Sequence, residues 1–196
     1  MKTLVVTAHP DPNSLTLAVA RQLARALEPS SVEIADLAAE GFDPRFTLAD
    51  RRTYLSGGHF APEVLAEQRR IDGADHLVLV FPVYWWSMPA LLKGWIDRVF
   101  INGWAFDIDA ENGMRRNLGR LTTHLIPVAG DDAGVYERHG YERAVRTQIE
   151  HGIIDYCGSR RGATAFVYES ERDDSASREA TVAESVDAVT RAILGR

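Results

Sequence analysis

The stretch Phe81-Pro82-Val83-Tyr84-Trp85-Trp86-Ser87-Met88-Pro89-Ala90-Leu91-Leu92-Lys93-Gly94-Trp95-Ile96-Asp97-Arg98-Val99-Phe100 decides how the rest of the chain is read. It starts as the end of an apolar strand running from His76 to Val83, passes through three adjacent aromatics and enters a helix that opens near Pro89. Proline suits a helix's first turn, where its missing N–H leaves no gap in the hydrogen-bond ladder. Strand side chains alternate between faces, so Tyr84, Trp85 and Trp86 cannot all point into a core. At least one looks outward, beside a helix start with free N–H groups. Flat aromatic surface next to free donors suits a flat ring with polar edges. The competing reading is a plain core cluster, since Trp and Tyr are usually buried mass.

Outward from this stretch, apolar runs alternate with helical patterns. Leu4 to Ala8 reads as a buried strand, and Ser14 to Leu27 carries apolar residues at helical spacing. Val32 to Leu37 is a second strand, Gly41 to His59 is mixed and polar with Gly57-Gly58 as a loop, and Pro62 to Ile71 is helical. Beyond the central stretch, Trp104 to Ile108 is a small extended excursion and Leu121 to Ala129 a fourth strand. Tyr141 to Tyr156 reads as a long helix, Ala163 to Tyr168 as a fifth strand and Ser177 to Leu194 as a closing helix. Alternating β and α elements predict an α/β fold, a five-stranded parallel sheet with helices on both faces. The strand order 2-1-3-4-5 places ligands past the carboxyl ends of the strands, near the switch between strands one and three. No linker interrupts the pattern, so residues 1–196 read as one domain.

Composition narrows the function classes. Hydrophobic residues make up 45% and charged residues 26%, ordinary for a soluble globular chain. A net charge of −6 argues against a nucleic-acid partner, which selects a basic face. The single Cys157 excludes an intrachain disulfide and a four-cysteine metal site, and its apolar setting suits a buried, inert thiol. The N-terminus leads directly into a strand pattern without a cleavage region, and no apolar run reaches a membrane span's length. These features predict a cytoplasmic protein.

The loop His9-Pro10-Asp11-Pro12-Asn13-Ser14 joins the first strand to the first helix. Ser14 reads as an N-cap, leaving the N–H groups of Leu15, Thr16 and Leu17 at the crevice, where a helix start attracts phosphate. His9 and the Ser14 and Thr16 hydroxyls add donors; an ordinary capped turn stiffened by two prolines is the competing reading. An apolar strand ending Ala-His-Pro-Asp also suggests a zinc N-deacetylase. There a second aspartate follows directly, whereas Pro12 stands in that place, and His124, His139 and His151 show no partner spacing. No metal site is expected. Glycine-rich dinucleotide and P-loop motifs are absent, as is a serine-hydrolase elbow.

The run from Phe81 to Phe100, together with the His9-Pro10 turn, resembles the signature of the NAD(P)H:quinone oxidoreductases. These are flavodoxin-like flavoproteins that include ancillary subunits of glutathione-gated potassium efflux systems. The resemblance extends to at least Gly158. It implies that His9, Ser14, Leu15 and Thr16 cradle the flavin phosphate, and that Pro82, Val83, Tyr84, Trp85 and Trp86 face the flavin ring. Backbone N–H groups from Val83 to Trp86 would hold the ring's polar edge. The loop Pro127 to Tyr136 closes over the ring in the family. Here Val128-Ala129 replace a customary pair of threonines, which leaves the backbone at Gly130 to bind and adds the acidic pair Asp131-Asp132. Tyr136 matches the tyrosine beside the flavin that helps settle charge as hydride moves. His139 stands near the place of its histidine partner at a different spacing, and Tyr141 competes for the same role.

The implied activity is two-electron, ping-pong transfer from NADPH or NADH through the flavin to a quinone or related electrophile. Compact length favours FMN, with FAD as the alternative. The resemblance further implies a homodimer with the active site at the interface, roofed by residues such as Trp104 and Phe106 of a second chain. A regulatory subunit of a membrane potassium antiporter, and an azo- or nitroreductase, are the alternative functions.

Overall fold

The computed structural model describes residues 1–56, 60–109, 113–172 and 174–195; the expected loop at Gly57-Gly58 lies outside them. Strands β1 (Lys2–Thr7), β2 (Ser31–Asp36), β3 (His76–Pro82), β6 (Thr122–Val128) and β7 (Arg160–Thr164) form a parallel sheet in the order β2-β1-β3-β6-β7. This is the expected flavodoxin-like α/β arrangement. Strands β4 (Phe106–Asp109) and β5 (Gly113–Arg116) pair antiparallel outside that sheet.

Period-two alternation in the central strand builds both faces of the core. Leu77, Leu79 and Phe81 of β3 join the cluster that contains Leu92 and Trp95 of helix α4 (Ala90–Val99). Val78 and Val80 join the opposite cluster, with Leu23 of α1 (Leu15–Ala26) and Val186 of α7 (Ser175–Leu194). A parallel sheet needs cover on both faces, and these helices supply it.

The polar segment after β2 is not all loop: α2 (Leu48–Ser56) forms there. Its sequence is weakly amphipathic, and its anchor is a buried ion pair rather than an apolar stripe. Arg98 of α4 is 5% exposed and binds Asp50 (3.2 Å), the Asp43 carbonyl (2.8 Å) and Glu63 (2.8 Å) of α3 (Pro62–Asp72). Gly94, one turn earlier, leaves room for the same segment, since a Cβ there would stand 2.2 Å from the Pro44 carbonyl oxygen. The Trp95 indole donates to Glu67 of α3 at 2.8 Å. The helical half of the signature is therefore scaffold.

Two further elements differ from the sequence pattern. The expected helix Tyr141 to Tyr156 is split into α6 (Tyr141–Arg146) and a π-helix, Thr147–Asp155. The fifth strand begins earlier than Ala163, because the β6–β7 register shifts between Thr123 and Leu125. His124 occupies that irregularity: its Nδ1 accepts the Ala163 N–H at 3.0 Å, and its ring fills the space a side chain on Gly162 would need. The apolar run then rejoins the sheet through a bridge between Val128 and Val167.

Candidate functional site

A cavity of about 540 Å³ lies past the carboxyl ends of β1, β3 and β6. Its lining includes His9, Ser14, Leu15 and Thr16 from the first loop, Pro82 through Trp86 from the second, and Gly130 and Tyr136 from the third. The expected cofactor-binding residues and Tyr136 thus meet in one place. His139 does not line it.

The aromatic run is not strand but a tight turn. Tyr84 and Ser87 exchange both backbone hydrogen bonds at 3.1 Å, with Trp85 at φ 50° and Trp86 at φ 57° between them. Non-glycine residues in the left-handed region cost roughly 1–2 kcal/mol each. The third such residue among those described, Glu169, sits at φ 57° beside the same cavity. Backbone strain of this kind gathers at ligand sites, where surrounding structure holds it in place. Trp86 is braced by stacking on Tyr141 at 4.2 Å, while Trp85 is 86% exposed. His139 stacks on Tyr141 at 5.1 Å and reaches the aromatic cluster through it.

The turn also decides which donors are free. The Val83 N–H is bound to the Val128 carbonyl at 2.8 Å and the Tyr84 N–H to that of Ser87, so neither is available as the sequence suggested. Among the described residues, the N–H groups of Trp85, Trp86, Gly130, Leu15 and Thr16 have no hydrogen-bond partner. Ser14 caps α1 by accepting the Leu17 N–H at 3.4 Å. His9 Nδ1 accepts the Asp11 N–H at 3.0 Å, which fixes the neutral imidazole's proton on Nε2 as a donor. Free N–H groups at a helix start suit phosphate, and those at the aromatic turn suit carbonyl and ring-nitrogen acceptors. These residues fit a flavin by the chemistry of their donors and by the flat indole surface between them.

Tyr136 is carried by α5 (Ala133–His139), a short helix that the sequence pattern did not show, capped by Asp132, which accepts the Val135 N–H at 2.8 Å. Its phenol is pushed up to about 12 by burial, with Asp131 and Tyr141 adding to the effect, so it stays a neutral donor. Asp11, Asp131, Ser170 and Glu171 also line the cavity. Sequence reading did not select Ser170 or Glu171, because the left-handed Glu169 that turns them inward leaves no signal in a polar segment. Of the residues proposed to roof the site from a second chain, Phe106 is 6% exposed within its own fold, and Trp104 packs against the core with its indole donating to Asp72 at 3.4 Å.

Comparison with known proteins agrees with this geometry. The family model for the flavodoxin-like fold matches residues 1–192. The chain is 31% identical to "Ribosyldihydronicotinamide dehydrogenase [quinone]" of Pongo abelii, over 93% of this chain and 87% of that protein. It is 27% identical to "NAD(P)H dehydrogenase [quinone] 1" of Rattus norvegicus, over 85% of this chain and 68% of that protein. The fold matches the solved NAD(P)H:quinone oxidoreductase of Methanothermobacter marburgensis with a TM-score of 0.90, at 22% identity and over 100% and 98% of the two chains.

Proposed function

This chain belongs to the NAD(P)H:quinone oxidoreductase family of flavodoxin-like fold, an oxidoreductase family, and from that premise we propose that it is a flavin-dependent reductase that takes two electrons from NADPH or NADH and delivers them to a quinone. The observation that carries this reading is the ring of unpaired N–H groups, from Leu15 and Thr16 through Trp85, Trp86 and Gly130, around one aromatic-walled cavity. A bound flavin would supply the redox chemistry, two-electron transfer between a dihydronicotinamide and a quinone. The protein binds, orients and shields. The α1 start and His9 Nε2 hold the phosphate. Trp85 and Trp86 wall the ring, and their N–H groups and that of Gly130 bind its polar edge. The neutral Tyr136 hydroxyl donates a hydrogen bond as negative charge gathers near it. His139 acts on this wall through Tyr141. Donor and acceptor occupy the same open face in turn, which gives ping-pong kinetics.

FMN is the flavin proposed for this cavity. One observation favours FAD as a second reading: a groove of about 540 Å³ between α1 and α7, lined by Leu15, Ala18, Gln22, Arg178, Glu179, Val182 and Ala183, begins beside the phosphate end. Its apolar floor and single guanidinium suit an adenosine. A second copy of the chain is proposed to cover the face where Phe46, Leu48, Leu55, Ile108, Met114 and Tyr156 are exposed. Two of these, Phe46 and Tyr156, line a second cavity, about 490 Å³, with Tyr54, Phe100 and Phe106. Exposed apolar surface of this kind marks an interface, and Trp104 and Phe106 are proposed to roof the partner's site from it, together with the exposed Tyr156, whose ring lies 5.1 Å from that of Phe106.

The test is the visible spectrum of the purified protein before and after anaerobic NADPH. The expected result is a flavin absorbance that bleaches and returns on adding a quinone, with heat release identifying FMN or FAD. Failure to take up either flavin on reconstitution overturns the reading.

A further inference from the structure

Charge is unevenly distributed along the cavity. At the α1 end the helix start and His9 face it, with the Arg21 guanidinium on the loop beside it at the Pro12 carbonyl (3.4 Å). The Asp11 carboxylate there accepts the Asn13 N–H at 2.9 Å. The opposite wall carries Asp131 and Glu171, and among the described residues no Lys or Arg lines the cavity. Neither of these carboxylates has an ion-pair or hydrogen-bond partner among the described residues, whereas neighbouring Glu169 is paired with Arg172.

The placement of Glu171 is built into the fold. The left-handed Glu169 turns the chain back onto the loop after β6, with its N–H donating to the Asp131 carbonyl at 3.1 Å and the Ser170 N–H to that of Ala129 at 2.9 Å. This lays the Glu171 carboxylate within 3.6–3.8 Å of the position a side chain on Gly130 would take. The Asp131 charge reaches the Tyr136 hydroxyl on the same wall. The open face of a flavin ring walled by the indoles and Tyr136 therefore lies beside two carboxylates that have no ion-pair partner among the described residues, the nearby Arg172 being paired with Glu169.

Resting on the reductase reading above, we infer that Asp131 and Glu171 select the electron acceptor by charge, favouring neutral and cationic rings over anionic ones. The reduction itself adds a hydride and a proton to the quinone and leaves its charge unchanged, so discrimination falls on the acceptor's substituents. Fields of this kind raise the local concentration of oppositely charged ligands and are screened by salt.

The test compares kcat/KM for 1,4-naphthoquinone carrying a trimethylammonium group and for the same ring carrying a sulfonate, in the flavin-loaded protein and in the Asp131→Asn/Glu171→Gln variant. The ratio of cation to anion should be about fivefold higher in the unmodified protein than in the variant, and should approach the variant's value in about 1 M salt, where the Debye length is ~3 Å. Comparing ratios cancels the substituents' own effects on reactivity. A second readout needs neither flavin nor turnover: caesium should quench the fluorescence of exposed Trp85 more effectively, relative to iodide, in the unmodified protein than in the variant. Equal ratios and equal quenching in both proteins overturn the inference. Selective quenching with no reduction of either quinone leaves the acidic wall in place and overturns both its role in acceptor choice and the reductase reading. Reduction of both quinones at one ratio in both proteins overturns the selection alone.

Discussion

The turn Tyr84–Ser87 and the helix Ala90–Val99 are neighbours in sequence and opposites in physics. In the turn, two tryptophans are held in left-handed backbone and their N–H groups are unpaired. In the helix, Gly94 admits Pro44, Trp95 binds Glu67 and the buried Arg98 satisfies three partners on two segments. The contrast extends to the sheet as a whole. Its carboxyl ends leave donors open around a cavity, while its amino ends are closed by internal pairing. There Lys2 and Asp75 exchange bonds, Thr123 and Ser159 share a 2.7 Å hydrogen bond, and His124 Nε2 lies 3.1 Å from His76 Nδ1. One signature thus contains both a site and the scaffold that holds it, and the two halves should respond differently to substitution.

The largest expected effect is on the scaffold. Arg98→Ala leaves Asp50, 6% exposed, as a buried carboxylate without its counter-charge, held by hydrogen bonds from the Thr47 N–H and hydroxyl, and should cost about 3–5 kcal/mol in denaturant unfolding. A loss below about 1 kcal/mol would break the division, because Arg98 would then be as dispensable as an exposed cation.

Acid probes the closed end. With its Nδ1 accepting from Ala163, neutral His124 donates through Nε2 to His76, and protonation of either ring breaks that relay. Burial, together with repulsion from His76, holds His124 down to about 4, and burial also lowers His76 against the pull of Asp75, with the chain's amino group opposing protonation further. The unfolded imidazoles bind protons from about pH 6.5 downward, so the unfolded state binds more protons and stability falls as pH drops from about 6.5 to about 4. The loss from His124 should be ~3 kcal/mol. His124→Gln, which keeps an acceptor for Ala163 and a donor for His76, should flatten the curve across that window; an unchanged curve would show that other groups carry the acid sensitivity.

Gly94→Ala places a Cβ 2.2 Å from a backbone oxygen and should cost about 1–3 kcal/mol by overpacking, read as a lower unfolding midpoint. The smallest effect has the opposite sign. Trp85→Asn puts a residue that tolerates the left-handed region at φ 50° and should raise the stability of the flavin-free protein by about 0.5–1 kcal/mol, while weakening flavin binding through loss of the indole wall. A variant that loses both stability and affinity would mean that the turn is not strained.

Much of this was legible beforehand, for identifiable reasons. Long apolar runs with period-two alternation located the sheet, and the Ser14 cap located the phosphate end. The turn was not legible, because tryptophan has no preference for positive φ and tertiary packing on Tyr141 imposes it. Helix α2 was hidden because a buried ion pair rather than an apolar stripe anchors it. The fifth strand was misplaced because His124 displaces the register, an effect of volume that Gly162 reveals only once the ring is seen against it. Glu171 was missed because its position depends on a left-handed residue two places earlier.

On the reductase reading, the unpaired amides at the carboxyl ends of the sheet form the flavin-binding surface. This assignment is tested most directly by following backbone amide resonances while flavin is added to the flavin-free protein. The predicted result is large shifts at Leu15, Thr16, Trp85, Trp86 and Gly130, with Val83, Tyr84 and the His76–His124 end moving little. Shifts centred instead on the face around Phe46 and Tyr156, or at Val83 and Tyr84 in place of the tryptophans, would contradict it.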